Sequence, residues 1–308
     1  MDRHPHLDLP DLHGRRALVT GASDGIGLHI ATRLAAAGAQ LVLPVRNAAK
    51  GAAALERLRA EVPGARVELE TLDLSSLGSV ATLADRLLDR EEPLHLLVAN
   101  AGVMTPPART TTEDGFELQL GTNHLGHVAL VGRLMPLLVA GRARVVTQSS
   151  VAARRATIAW DDLQSERSYD AMRAYAQSKL AIGLFGLELE RRSAAAGWGV
   201  TATVAHPGVA PTSLLAARPE VGRARDTLSV RAIRVMSRIG LTGTPESAAL
   251  PALLAATAPS GGGFHGPQGP GSVGGRPGEL PLWRPLASAQ DAARMWDLSH
   301  ELVGVRVG

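Results

Sequence analysis

Two residues of this chain stand at a spacing that could move a proton. Tyr175 and Lys179, in the run Tyr175-Ala176-Gln177-Ser178-Lys179, are four apart. A helix would put them on one face, one turn from each other. A free phenol titrates near ~10 and is a poor base at neutral pH. An ammonium within ~4–6 Å favours the phenolate and draws that value down, so the pair could give and take a proton near working pH. On these five residues alone, a packed tyrosine beside a solvated lysine is the simpler reading. A second reactive group, Ser149-Ser150, lies upstream at the end of the apolar run Ala143 to Gln148. Ligands of open α/β sheets bind beyond the carboxyl ends of strands, which is where that pair would fall. A loop serine pair making local caps is the competing reading.

The elements that must position these groups alternate along the chain. Arg16 to Thr20 is an apolar run entering Thr20-Gly21-Ala22-Ser23-Asp24-Gly25-Ile26-Gly27, and a helical pattern with Ile26, Ile30 and Leu34 on one face follows to Ala37. Strand, glycine turn and helix in that order suit a pyrophosphate at the helix N-terminus. The glycines sit at Gly21, Gly25 and Gly27, a spacing other than G-x-G-x-x-G. A second strand, Gln40 to Val45, ends at Arg46 with no carboxylate. An acidic residue at that strand end binds the 2′-hydroxyl of NAD, whereas an arginine accommodates the 2′-phosphate of NADP. NADP(H) is therefore the expected cofactor, ahead of NAD(H). Ala48 to Val62 reads as helix, and Arg66 to Leu72 as a half-exposed strand with Glu68 and Glu70 outward. Asp73-Leu74 follows, where Asp73 either accepts from an adenine amino group or ends the strand as a turn former. Leu77 to Arg90 is a helix and Leu94 to Ala99 an apolar strand closed by the small-residue turn Asn100-Ala101-Gly102.

Glu113 to Val139 reads as one long helix carrying Asn123-His124-Leu125-Gly126-His127. Asparagine is a poor helix former, so its amide is expected to bond a backbone carbonyl and distort the helix locally. His124 and His127 lack a third ligand and read as ordinary packed or surface histidines, with no metal site. Tyr169 to Arg192 is the helix of the Tyr–Lys pair, and Val200 to Ala205 a sixth strand leading to His206-Pro207-Gly208-Val209-Ala210-Pro211-Thr212. The segment 213–243 is rich in arginine, with Arg231, Arg234 and Arg238 along one side of a helix. It is expected to form a substrate lid, and whether its basic face meets substrate, an anionic membrane surface or solvent stays open. Thr244-Pro245-Glu246 opens another helix, a short seventh strand is expected around Phe264, and Ser288 to Leu302 is a last helix.

Composition sets bounds on function. The chain has 308 residues, 45% hydrophobic and 20% charged, which suits one large α/β domain. Aromatics make up only 3%, so alanine, leucine and valine must build the core. Cysteine is absent, which excludes disulfides and thiolate metal sites and fits a cytoplasmic location. A net charge of +3 on scattered arginines argues against nucleic acid as a partner. No apolar run reaches the ~18–20 residues of a membrane span. Residues 1–13 are expected to be a flexible tail, 14–308 the catalytic domain, and 261–308 its C-terminal extension. Oligomeric state stays open.

Taken together, TGASDGIG, Ala99-Asn100-Ala101-Gly102, Asn123, Ser150 and YAQSK fall in the order and strand context of the short-chain dehydrogenase/reductase family, in its single-domain branch. The resemblance covers about Arg16 to Thr212. Arg46, the long interval from Ser150 to Tyr175 and the C-terminal MWDLSHELVGV make it most similar to the retinol-dehydrogenase-like group. Ala99 stands where the family has asparagine, and Ala210 where it has valine. The resemblance implies a Rossmann-type doubly wound parallel sheet of about seven strands and hydride exchange between a carbonyl and an alcohol. In that scheme Tyr175 is the acid/base, Lys179 lowers its pKa and holds the nicotinamide ribose, Ser150 bonds the substrate oxygen with Ser149 ranked second, and Asn123 supports a water leading to Lys179. Gly21, Ser23, Asp24, Gly25, Ile26, Gly27, Arg46, Asp73, Leu74, Asn100, Ala101, Gly102, Pro207, Gly208, Val209 and Thr212 would line the cofactor. The substrate would be a small, hydrophobic carbonyl or alcohol. A sensor or scaffold that binds the dinucleotide without turnover is the alternative, and a membrane-surface enzyme for lipid alcohols is a third reading.

Overall fold

Strand pairing accounts for most of the architecture. The computed structural model describes residues 7–211, 237, 242–305 and 307. Eight strands form one sheet: β1 Arg16–Val19, β2 Gln40–Val45, β3 Val67–Thr71, β4 Leu96–Ala99, β5 Arg144–Gln148, β6 Thr201–Ala205, β7 Phe264–Pro267 and β8 Pro277–Glu279. Their order is β3-β2-β1-β4-β5-β6-β7-β8, parallel up to β7, with β8 antiparallel at the edge. The chain runs outward from β1 to β3, then returns to place β4 on the other side of β1. That reversal opens a crevice at the carboxyl ends of β1 and β4, where open α/β sheets bind ligands. The expected doubly wound α/β class is therefore the observed one, with an eighth strand of three residues that is too short to carry an alternating pattern.

Both sheet faces are covered by helices: α1 Gly25–Ala36, α2 Ala48–Glu61, α3 Leu77–Leu88, α4 Gly126–Ala140, α5 Ala171–Ala196, α6 Pro245–Thr257 and α7 Ala289–Val303. One core lies between the sheet and α1, α2 and α6, with Val19, Ile30, Leu34, Leu43, Leu58, Val98 and Leu253 buried in it. The other lies under α3, α4 and α5 and includes Leu83, Leu97, Leu130, Val145 and Phe185. Helix α7 packs on that second layer and stacks Trp296 on Phe185 with ring centroids 5.2 Å apart. Fully buried strands read as continuous apolar runs because both faces are covered; β3, nearer the edge, alternates instead. Its Glu68 and Glu70 pair with Arg16, Arg86 and Arg90, while Val67 and Leu69 pack inward.

Two expectations need revision. The long helix from Glu113 does not form: Thr111 bridges Glu117, and helical structure starts at Leu118. Glu117 caps it, accepting from the Leu120 amide at 2.7 Å. A π-helical turn over Gly121–Leu125 then separates it from α4. The described part of the N-terminal tail is also held. Leu7, Leu9 and Leu12 pack against the first core, and the Leu12 amide donates to Ala37 O at 2.8 Å. The expected lid, 213–243, lies almost wholly outside the described residues.

Candidate active site

The glycine turn closes because two of its residues take a left-handed backbone, Gly21 at φ +69° and Gly25 at φ +53°, which costs glycine little. A Cβ on Gly21 would stand 2.8 Å from the Cα of Ala101, so the two turns touch. Thr20 stitches them together: its hydroxyl accepts from the amides of Asn100 and Ala101, both at 3.0 Å, and its carbonyl accepts from the Asn100 side chain at 2.9 Å. A cleft of about 470 Å³ runs over them. Gly21, Ser23, Asp24, Gly25, Ile26, Gly27, Arg46, Asp73, Leu74, Asn100, Ala101 and Gly102 all line it. Asp73 also does its turn-forming work there, with Oδ1 accepting from the amide and hydroxyl of Ser75 at 2.9 and 2.6 Å. Pro207, Gly208 and Val209 follow β6, two strands beyond β4, and are tied down by the residues after β7: the Val209 amide donates to Val273 O at 2.9 Å. Thr212 lies outside the described residues.

The catalytic candidates converge from three elements. Helix α5 is started by Asp170, whose carboxylate caps the Arg173 amide, and ended by Gly197 at φ +68°. It carries Tyr175 and Lys179 on the face turned to β5, both buried, at 5% and 3% exposure. The Lys179 ammonium donates to the carbonyl of Gln148 at 3.0 Å, and the Ser149 hydroxyl donates to the carbonyl of Lys179 at 2.8 Å. These two bonds lock α5 onto the end of β5. Ser149 is thereby committed to structure, whereas Ser150 caps the turn that follows it, its hydroxyl accepting from the Ala152 amide at 3.3 Å, and lies beside the Tyr175 phenol. Asn123, in the π turn, does bond a backbone carbonyl: its Nδ2 donates to Val103 O and to Ser178 Oγ, each at 2.9 Å, and its Oδ1 accepts from the Val103 amide at 2.7 Å. Gly102 brings Asn123 and Lys179 together, since a Cβ there would lie 3.1 Å from Asn123 Oδ1 and 3.4 Å from Lys179 Nζ.

The electrostatics differ from the expectation of a phenol made acidic by the ammonium. Burial raises the Tyr175 pKa above its ordinary value, and the hydrogen bond with Ser150 pulls it part of the way back. Burial draws Lys179 down to about 8. At neutral pH the site therefore holds a protonated phenol beside a charged lysine, and desolvation rather than the pair's mutual field sets both values. His124 and His127 are fully buried, and burial lowers them to about 3 and about 4. Among the described residues no cluster could hold a metal ion, and no helix is long and apolar enough to cross a membrane.

Several residues of the site have no signature in chain spacing. Thr20, Asn47, Lys50, Val103 and Thr122 line the cleft. Gln148 and Ser178 hold Lys179 and Asn123. Backbone partners and tertiary neighbours of this kind leave no periodic trace; only the position of Thr20 and Ser178 inside the TGASDGIG and YAQSK runs pointed to them. The Gln148 carboxamide has a different character, since both its Oε1 and its Nε2 are buried without a hydrogen-bond partner among the described residues.

A crevice at the sheet's switch point, lined by a glycine turn and flanked by Ser150, Tyr175 and Lys179, defines a dinucleotide-dependent oxidoreductase architecture. Residues 15–221 match the short chain dehydrogenase family, and the chain belongs to it. Within the family it falls in the retinol-dehydrogenase-like group. It is 38% identical to human retinol dehydrogenase 13 over 297 residues, covering 95% of this chain and 85% of that protein. It is 44% identical to mouse polyprenol dehydrogenase over 211 residues, 67% of this chain and 63% of the relative. Among solved structures it superposes on an uncharacterised protein from Mycobacterium paratuberculosis with a TM-score of 0.78 and 34% identity, over 98% of this chain and 97% of that one. The Pseudomonas aeruginosa RhlG/NADP active-site complex matches with a TM-score of 0.62 and 29% identity, over 80% and 91%.

Proposed function

We propose that this oxidoreductase interconverts a carbonyl and an alcohol on a hydrophobic small molecule with NADP(H) as its cofactor. One observation carries the reading: Ser150, Tyr175, Lys179 and Asn123 are brought together beside a cleft whose lining suits a dinucleotide. Glycine turn and α1 N-terminus suit the pyrophosphate. At the far end, Arg46, Asn47 and Lys50 line the cleft beyond β2 with no carboxylate among them, which suits a 2′-phosphate. The NADP complex among the solved relatives supports the same cofactor, and the names of the curated ones, a retinol and a polyprenol dehydrogenase, support a hydrophobic alcohol or carbonyl as substrate.

The bound cofactor supplies the hydride, or accepts it. The chain's own residues handle the oxygen and its proton. Ser150 and the Tyr175 phenol both bond the substrate oxygen, so charge developing there meets two preorganised donors. In the reducing direction Tyr175 gives up its proton. Its raised pKa keeps it protonated at neutral pH and ready as the acid. The Lys179 ammonium stabilises the phenolate left behind, and with a pKa near 8 it can itself lose a proton to solvent through the Asn123 side of the site. In oxidation the same steps run backwards, which favours alkaline pH.

NADPH consumption is to be followed against a panel including retinal, aliphatic aldehydes, ketones and quinones, then repeated with NADH. Tyr175→Phe is expected to lower turnover by roughly 10²–10⁴ while NADPH binding stays within about twofold of the parent. A Phe variant as active as the parent would remove the catalytic assignment. A cytoplasmic location, and peripheral rather than spanning contact with any membrane, belong to the same proposal. Sedimentation with anionic liposomes tests the membrane part.

A further inference from the structure

His127 stands out as a polar side chain in a helix that is otherwise apolar except for Arg133, and it is completely buried. Burying an imidazole costs free energy unless its nitrogens find partners, and both do. Nδ1 lies 3.0 Å from the carbonyl of Asn123, and Nε2 lies 3.0 Å from the hydroxyl of Thr20. These partners belong to different parts of the site. Thr20 ties the glycine turn to the Asn100–Gly102 turn on the cofactor cleft, whereas Asn123 bonds Val103, just beyond that turn, and Ser178 of the catalytic helix.

The direction of each bond follows from chemistry. A carbonyl oxygen only accepts, so Nδ1 must carry hydrogen. The imidazole is neutral, since burial holds its pKa at about 4, and Nε2 is therefore bare. Thr20 must donate to it, at 3.0 Å rather than to Val98 O at 3.3 Å. That leaves the Thr20 oxygen to accept the amides of Asn100 and Ala101. Every bond then points the same way, from the Asn100-Ala101 amides through Thr20 and His127 to the Asn123 carbonyl. Aligned bonds in a low-dielectric interior polarise and reinforce one another.

We infer that His127 is a positioning residue: it relays the geometry of the cofactor turns to Asn123, and the proton path through Asn123 and Lys179 depends on its Nδ1–H bond. This rests on the functional reading above. The link falls on the π turn. In it Gly121 O accepts from Gly126 N, one residue beyond the α-helical partner, so the Asn123 backbone is held by side chains as well as by the helical ladder.

Two isosteric replacements separate the two nitrogens. Asn puts an amide nitrogen near the Nδ1 position and keeps the bond to the Asn123 carbonyl. Gln puts an amide oxygen near Nε2 and keeps only the Thr20 bond. With NADPH and retinal as probes, His127→Gln is expected to lose about tenfold or more in kcat, with KM for retinal and Kd for NADPH little changed. His127→Asn is expected to recover most of that loss. Nitrogen NMR of the parent is expected to find the ring in its Nδ1–H form. An Nε2–H ring, or Gln and Asn variants equally impaired in proportion to their melting temperatures, would overturn the role and leave the functional reading standing. A parent that binds no NADPH would overturn the functional reading itself, and with it the role, whichever tautomer is seen.

Discussion

Replacing Lys179 by Met is expected to destroy turnover and yet make the protein more stable at neutral pH. The lysine is 3% exposed, and burial draws its pKa from 10.5 to about 8. Between those two values the unfolded chain holds a proton that the native site does not. Stability therefore climbs as pH rises through about 8 to 10.5, and below pH 8 the fold bears the full cost of a buried ammonium. Two and a half powers of ten, at about 1.4 kcal/mol each, make that cost roughly 3 kcal/mol. Methionine keeps the stem's volume without the charge. It forfeits the bond from Nζ to the Gln148 carbonyl, about 1 kcal/mol, so the net gain at pH 7 is roughly 2 kcal/mol. At pH 10 most of the ammonium cost is already relieved in the parent, and the advantage should have vanished. Urea titrations of parent and variant at pH 7 and pH 10, without cofactor, measure both numbers. A variant no more stable than the parent at pH 7, or equally favoured at both pH values, would refute the claim that desolvation governs this lysine.

Other predictions follow from single contacts. Gln148→Leu removes two buried amide atoms that have no partner among the described residues and is expected to stabilise the fold by about 1–3 kcal/mol, read as a higher melting temperature; a lower melting temperature would mean the amide is satisfied. Gly126→Ala should gain helix propensity, about 1 kcal/mol, but its Cβ would run into the Leu74 carbonyl on the cleft. The expected net result is a less stable protein with weaker NADPH binding, read by thermal melting and titration. Arg46→Ala is expected to weaken NADPH by roughly tenfold or more and leave NADH almost unchanged; equal losses would end the case for the 2′-phosphate. Acid should destabilise the fold steeply. His124, His127 and His206 are held at about 3, 4 and 4, chiefly by burial, so each takes up a proton on unfolding once pH falls below its free value of 6.5. Stability is then lost from pH 6.5 downward, at up to about 4 kcal/mol per pH unit for the three together. A flat profile between pH 6 and 5 would contradict this.

Apolar runs and glycine turns located β1, β2, β4, β5 and β6 and the helices between them, because a strand covered on both faces must be apolar throughout. Glu68 and Glu70 marked β3 as half exposed, and they do form the charged outer face. The helix expected from Glu113 failed because Glu117 spends its carboxylate as a cap and Thr111 pairs across it, contacts that helix propensity does not register. The distortion at Asn123 was legible from its poor helix propensity, but its width, a full π turn, was not.

What the chain's residues determined by themselves was the sheet class, the family and which side chains meet at the crevice, since motif order and period survive any detail of packing. Tertiary structure alone decided their electrostatics and division of labour. Tyr175 and Lys179 sit one turn apart in any helix, but only burial raises one and lowers the other. The resemblance ranked Ser150 ahead of Ser149, but only the docking of α5 shows what occupies Ser149, the Lys179 carbonyl, and leaves Ser150 beside the Tyr175 phenol with a local cap to Ala152. His127 reads from the sequence as an ordinary packed or surface histidine because its two partners are four and 107 positions away. The physical reason is common to all three: desolvation and long-range hydrogen bonds depend on what covers a group, and spacing along one chain says nothing of that.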